Sequence, residues 1–120
     1  MKRTGTTNEY MQTLILDLKR EGSLHKSALW KTLASELSKP TRIRSVVNVS
    51  RINRFTAENE VVVVPGKVLG SGTVDHSVTV AAFSFSESAK KRIEEAKGKY
   101  LTIYELLQSN PEGKKVRLMK

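Results

Sequence analysis

The stretch EVVVVPGKVLGSG, residues 60–72, decides how this chain folds. Residues 61–64 are four consecutive valines, and such a β-branched run is typical of a buried strand. Pro65 is expected to end that strand or to place it at a sheet edge, because proline cannot donate a hydrogen bond to a strand ladder. The glycines that follow indicate a loop, and Lys67 within it raises the question of a phosphate site.

The order of the glycines and the lysine argues against a nucleotide loop. A phosphate-binding loop of the Walker A type needs glycine, lysine and a hydroxyl residue in succession, whereas Lys67 is followed by a valine and no helix pattern comes next. A dinucleotide fingerprint fails as well, because position 75 is aspartate rather than glycine. Two interpretations stay open: a tight connection between two strands, or a loop whose N–H groups and Lys67 lie against a phosphodiester backbone.

Three further segments have the pattern of strands. HSVTVAAFSF, residues 76–85, carries apolar side chains at both odd and even positions, which favours an interior strand covered on both faces. Val46, Val47 and Val49 indicate a short strand, after which Ser50 is expected to cap a turn of helix through residues 51–55. Tyr100 and Leu101 suggest another brief strand.

Helices are predicted before, between and after these strands. Thr7 is expected to cap the first and Ser27 the second, and two amphipathic helices joined by a short link predict a hairpin. Ser84 with Glu87, and Thr102 with Glu105, have the spacing of capping boxes for two later helices. The order of elements predicts an α/β fold, a small mixed sheet with irregular strand and helix turns, preceded by two N-terminal helices.

Length and composition limit the possible functions. The 120 residues predict a single domain over 1–120, divided into a basic N-terminal extension and helical hairpin (1–45), an α/β core (46–113) and a basic tail (114–120). Lys and Arg number 21 against 12 Asp and Glu, so the net charge is +9 and the pI is near 10.0, which favours a polyanionic partner. The absence of cysteine and of long apolar segments predicts a cytoplasmic protein with no membrane partner.

The sequence offers little for catalysis. Asp75, His76 and Ser77 are consecutive, and consecutive side chains of a strand point to opposite faces, so they are not expected to form a relay. His25 lies in a polar link between the two N-terminal helices. With two histidines and no cysteine, no metal site, cofactor or small-molecule substrate is expected, and the chain is predicted not to be an enzyme.

A basic block is the strongest functional signal. Residues 37–57 contain no acidic residue and carry one lysine and four arginines: Lys39, Arg42, Arg44, Arg51 and Arg54. Guanidinium groups bind phosphate oxygens bidentately, so the block predicts nucleic-acid contact. No exposed aromatic platform for single-strand reading is evident, since Phe83 and Phe85 lie in a core-like strand. A module that docks acidic proteins through the same residues is the alternative.

Four strings, together with KRTGTTN at residues 2–8, closely resemble one family. They are VNVSRINRF (47–55), VVVVPGKVLGSG (61–72), DHSVTVAAFSFSESAKKRIEEA (75–96) and LTIYELLQSNPEG (101–113). The family is the archaeal and eukaryotic large-subunit ribosomal protein family L18e, a relative of the universal ribosomal protein L15. The resemblance runs nearly end to end, and the short length resembles the archaeal members.

The resemblance implies a structural component of the large ribosomal subunit, which binds large-subunit ribosomal RNA, neighbours other ribosomal proteins and has no catalytic activity. RNA contacts carry over onto the positions that match: Lys2, Arg3, Arg51, Arg54 and Lys67. Lys97 departs from the family, which usually has glycine there, and the C-terminal tail is more basic than usual. An RNA role for Lys114, Lys115 and Arg117 therefore rests on charge alone.

Overall fold

A computed structural model describes residues 9–39, 45–113 and 115–120 and has an α/β architecture. The helices are α1 (Glu9–Leu24), α2 (Ala28–Leu37), α3 (Val49–Phe55), α4 (Glu87–Glu95) and α5 (Ile103–Ser109). The strands are β1 (Ser45–Asn48), β2 (Glu60–Leu69), β3 (Val78–Phe85), β4 (Lys99–Thr102) and β5 (Val116–Leu118). The predicted fold class, with two helices ahead of a small sheet, is confirmed. The described ladders are all parallel, so the sheet is more uniform than the mixed sheet expected.

Strand β2 is the centre of the sheet. Along one edge it pairs with β3, which in turn pairs with β4. Its other edge is shared, because β5 pairs with residues 61–63 and β1 with residues 66–69. The segment 115–120, expected as a basic tail, thus contributes a strand, and Met119 beyond it is buried.

Pro65 does not end the strand as the sequence suggested, since β2 continues to Leu69. The register with β3 shifts between Val64 and Lys67, so Pro65 lies at an irregularity of that ladder. On the other edge of β2, Pro65 lies between Val63, the last residue paired with β5, and Gly66, the first residue paired with β1. The missing N–H group of proline is tolerated because the ladders are interrupted there.

The two faces of the sheet have separate cores. Val63 and Ala81 pack with α1, α2 and α5 on one face, around the fully buried Trp30. Val62 and Val64 pack on the other face, with the buried residues of α3 and α4. The indole N–H of Trp30 donates to the Pro111 carbonyl at 2.7 Å, which fastens α2 to the segment after α5.

The glycine segment is not the tight strand connection considered above. Because β2 and β3 are parallel, residues 70–77 must run from the C-terminal end of β2 back to the opposite end of the sheet, where β3 begins. They do so beside α3. The N–H of Ser50 donates to the Ser71 carbonyl at 3.2 Å, and the N–H of Asp75 donates to Asn53 Oδ1 at 3.1 Å. The segment is therefore a long crossover bonded to α3.

The predicted helix starts are partly correct. Thr102 and Glu105 form the expected capping box of α5, and Ser27 is the N-cap of α2, although its side chain makes no cap hydrogen bond. Ser86, rather than Ser84, caps α4 by accepting from the Ala89 N–H at 3.1 Å. Ser50 lies inside α3, whose N-cap is Asn48; Val49, expected in a strand, is its first residue. Thr7 lies outside the described residues.

Gly70 is required where the crossover leaves β2. A Cβ atom at this position would lie 2.6 Å from the carbonyl carbon of Ser88 in α4, closer than backbone atoms permit. We expect Gly70→Ala to lower the free energy of unfolding by about 1–3 kcal/mol, the usual effect of overpacking. Urea denaturation measures this, with Ser71→Ala, at an exposed neighbour, as the control. Equal midpoints for the two variants would contradict the close packing described here.

Candidate nucleic-acid interface

Helix α3 presents two arginines to solvent. Its inner face is held by Val49 and Ile52, both fully buried against the sheet, whereas Arg51 and Arg54 are exposed. Residues three apart lie on one face of a helix, so the two side chains are neighbours, as expected from the sequence. Their guanidinium carbons lie 5.9 and 6.0 Å from the centre of the Phe55 ring, and this side chain is itself half exposed.

A third arginine reaches the same place from the far end of the chain. Pairing of β5 with β2 sets Arg117 beside Val62. From there Arg117 Nη1 donates to the Phe55 carbonyl at the C-terminus of α3 at 2.8 Å, and Nη2 lies 3.5 Å from Glu60 Oε2. Arg51, Arg54, Phe55 and Arg117 form what is called below the α3 arginine surface.

Parts of this surface were not foreseen. Arg117 was a candidate RNA contact on the basis of its charge alone. Its contact with α3 depends on the parallel pairing of β5 with β2, which no local sequence pattern indicates. Phe55 was missed as a site residue, and the only signal for it was a lone aromatic at the end of a basic helical turn.

Lys67 lies elsewhere. In the ladder between β1 and β2, Val47 pairs with Val68, and both are buried on the α3 side of the sheet. Val46 and Lys67, the preceding pair, therefore point to the opposite face, where both are exposed. The structure does not bring Lys67 together with the α3 arginine surface.

Lys39 serves as an internal partner. Its ammonium group lies 3.0 Å from both carboxylate oxygens of Glu36, and Lys120 Nζ lies 2.9 Å from Oε2 of the same group. Hydrogen bonds from Lys120 and Lys39, in that order of size, lower the pKa of Glu36. Glu36 is only 8% exposed, so these contacts tie the end of the chain to α2.

The other basic candidates are placed as follows. Lys115 is exposed, has a left-handed backbone with φ of 58°, and shares a shallow depression with Asn59 and Arg117. The remaining candidates lie outside the described residues: Lys2, Arg3, Arg42, Arg44 and Lys114.

The Asp75 to Ser77 segment precedes β3, so the alternation assumed for a strand does not apply to it. Asp75 Oδ1 lies 3.1 Å from His76 Nδ1, and Thr56 Oγ1 lies 2.8 Å from Nε2. Thr56 donates its hydroxyl proton to the Ile52 carbonyl at 2.7 Å. The Ser77 hydroxyl donates to Asn59 Oδ1 rather than to His76. The contacts fasten the crossover to α3 and present no activated nucleophile.

Within the described ranges, no group of three or more potential ligands could hold a metal ion. None of the helices described is both long enough and apolar enough to cross a bilayer.

Comparison with known proteins shows the family of this chain. The family model described as "Ribosomal protein 60S L18 and 50S L18e" matches residues 2–120. The "Large ribosomal subunit protein eL18" of Sulfurisphaera tokodaii is 50% identical over 118 residues, which cover 98% of this chain and 97% of that protein. The proteins of the same name from Methanococcus maripaludis and Methanothermobacter thermautotrophicus are 49% and 42% identical, over 99% and 100% of this chain and 99% of each relative.

These matches define the chain as a ribosomal protein of the large subunit, a structural class rather than an enzyme class. It belongs to the family of ribosomal proteins 60S L18 and 50S L18e. The resemblance identified from the sequence strings is thereby confirmed.

The contacts of Glu36 predict an acid-sensitive anchor. Because its pKa is lowered in the folded state, its contribution to stability is present above the unfolded value of about 4.3 and is lost as pH falls through the folded value. We expect Glu36→Gln to cost about 0.5–1.5 kcal/mol at pH 7, because solvent screens the two half-exposed lysines, and to cost less below about pH 4. Urea denaturation at both pH values, with exposed Glu94→Gln as control, tests this. If Glu36→Gln lowered the free energy of unfolding equally at both pH values, the carboxylate charge would not contribute to stability.

Proposed function

We propose that this chain binds large-subunit ribosomal RNA, mainly through phosphate contacts, and thereby supports subunit assembly and translation. The observation that carries the proposal is the α3 arginine surface. Among the described residues, neither Arg51 nor Arg54 is paired with a carboxylate, so both guanidinium groups can bind phosphate oxygens bidentately.

The remaining contacts belong to the same proposal. Lys67 is exposed away from the α3 arginine surface, whereas Lys115 is exposed beside Arg117 of that surface, so the proposal includes a second RNA segment at Lys67. Basic residues outside the described ranges add further phosphate contacts: Lys2, Arg3, Arg42, Arg44 and Lys114. The protein acts in the cytoplasm within the ribosome, beside neighbouring ribosomal proteins, and has neither a membrane partner nor a small-molecule substrate.

Removal of the two arginines tests the proposal. With about six phosphate contacts, the logarithm of the association constant should fall with the logarithm of salt concentration with a slope of roughly −4 to −5. Arg51→Ala combined with Arg54→Ala should weaken binding and make the slope less steep by roughly 1.5, because two phosphate contacts are lost. Titration of a large-subunit ribosomal RNA transcript between about 50 and 200 mM KCl measures both quantities.

A matched control removes the same charge elsewhere. Lys91 and Arg92 are exposed on α4, a helix that also carries Glu94 and Glu95, so Lys91→Ala with Arg92→Ala should change the slope less. Salt-independent binding by the wild-type protein would overturn the proposal. If an acidic polypeptide displaced the RNA at equal concentration, the surface would instead be a docking site for acidic proteins.

A further inference from the structure

Phe55 is an aromatic side chain that the fold leaves half in solvent. It is 49% exposed, although Val49 and Ile52 of the same helix are fully buried. Its backbone is fixed, because its carbonyl accepts the hydrogen bond from Arg117 at 2.8 Å. A large apolar ring held in place at the surface is available to a partner and is not needed to fill the core.

The charges around the ring are arranged on one side of α3. Successive helical residues are rotated by about 100°, so Arg51 and Phe55 share a flank and Arg54 lies beside them. Asn53 is on the flank that faces the crossover, where it accepts from the Asp75 N–H. Within the part of the chain that the structure describes, the carboxylate that contacts the arginine surface is Glu60, which is held by Arg117. The ring is therefore bordered by positive charge.

An aromatic face beside guanidinium groups fits the chemistry of an unpaired nucleotide. The base can stack on the ring, while the phosphates on either side accept hydrogen bonds from the arginines. A base inside a duplex cannot do this, because both of its faces are covered by neighbouring bases. Both guanidinium carbons lie over the ring, 5.9 and 6.0 Å from its centre and thus at the outer limit of about 6 Å for a cation–π contact, so a stacking base displaces these weak contacts as the arginines turn to the phosphates.

We propose that Phe55 is a stacking platform for an unpaired RNA base, with Arg51 and Arg54 bound to the adjoining phosphates. This inference rests on the proposed function and specifies it, since it names single-stranded RNA as the ligand of this surface. It differs from the expectation drawn from the sequence, in which no exposed aromatic platform was evident.

The experiment compares two RNA probes with three forms of the full chain. The probes are a labelled ten-nucleotide single strand and a ten-base-pair duplex, and the forms are the wild type, Phe55→Leu and Phe55→Trp. Leucine keeps an apolar side chain but has no aromatic face. We expect Phe55→Leu to weaken binding of the single strand about tenfold and binding of the duplex less than about twofold, with the salt slope unchanged. Phe55→Trp should retain binding of the single strand.

A spectroscopic signal gives an independent measurement. Trp30 is the only natural tryptophan and is fully buried, so it provides a constant background. The indole introduced by Phe55→Trp should be quenched by the single strand and not by the duplex, because a stacked base lies against it. Circular dichroism checks that each variant is folded, which the exposure of Phe55 leads us to expect.

The outcomes separate this inference from the proposed function. If the wild type binds neither RNA in a salt-dependent manner, the proposed function fails. If it binds both, but Phe55→Leu weakens the two equally or weakens neither, only the stacking platform is overturned. If a polyglutamate peptide binds as tightly as the single strand and loses the same affinity in Phe55→Leu, the surface recognises acidic protein and the inference is wrong.

Discussion

Three consecutive valines of β2, Val62 to Val64, are fully buried, and because they alternate between the faces of the sheet, both faces need cover. Helices α1, α2 and α5 cover one face, and α3 and α4 cover the other. Full burial of each valine contributes about 1.5–3 kcal/mol, so neither layer can be removed without exposing a large part of the core. The same strand also needs partners along both edges, and it obtains them from β3 and from β5 and β1 together.

Parallel pairing of these strands determines where the arginines meet. Each strand must begin at the same end of the sheet, so the chain returns across a face between strands. Helix α3 makes one such return, from the end of β1 to the start of β2, and its C-terminus therefore lies near the beginning of the sheet. Strand β5 pairs at that end, so Arg117 can bond to the Phe55 carbonyl. The α3 arginine surface is a consequence of topology.

Sequence patterns predicted those features of the fold and of the candidate site that depend only on residues close together in the sequence. The valine run, the capping box at Thr102 and the shared face of Arg51 and Arg54 are all set within a few residues, and the structure has each of them. Pro65 was misjudged because its tolerance depends on where two other strands stop pairing. Phe55 was overlooked for a similar reason, since its exposure depends on which face of α3 the sheet covers.

The basic residues fall into two groups: those that already bond to carboxylates or carbonyls of the protein, and those that form no such bond among the described residues. Lys39 and Lys120 are bonded to Glu36, and Arg117 to Glu60 and a helix carbonyl, so a polyanion that bound them would compete with internal contacts. Arg51 and Arg54 have no carboxylate partner among the described residues and are held 5.9 and 6.0 Å from one aromatic ring. In a chain with a net charge of +9, repulsion between such groups is reduced when phosphates bind between them. In the proposed complex, the phosphates would therefore be bound by Arg51 and Arg54, which form no ion pair within the described part of the folded protein.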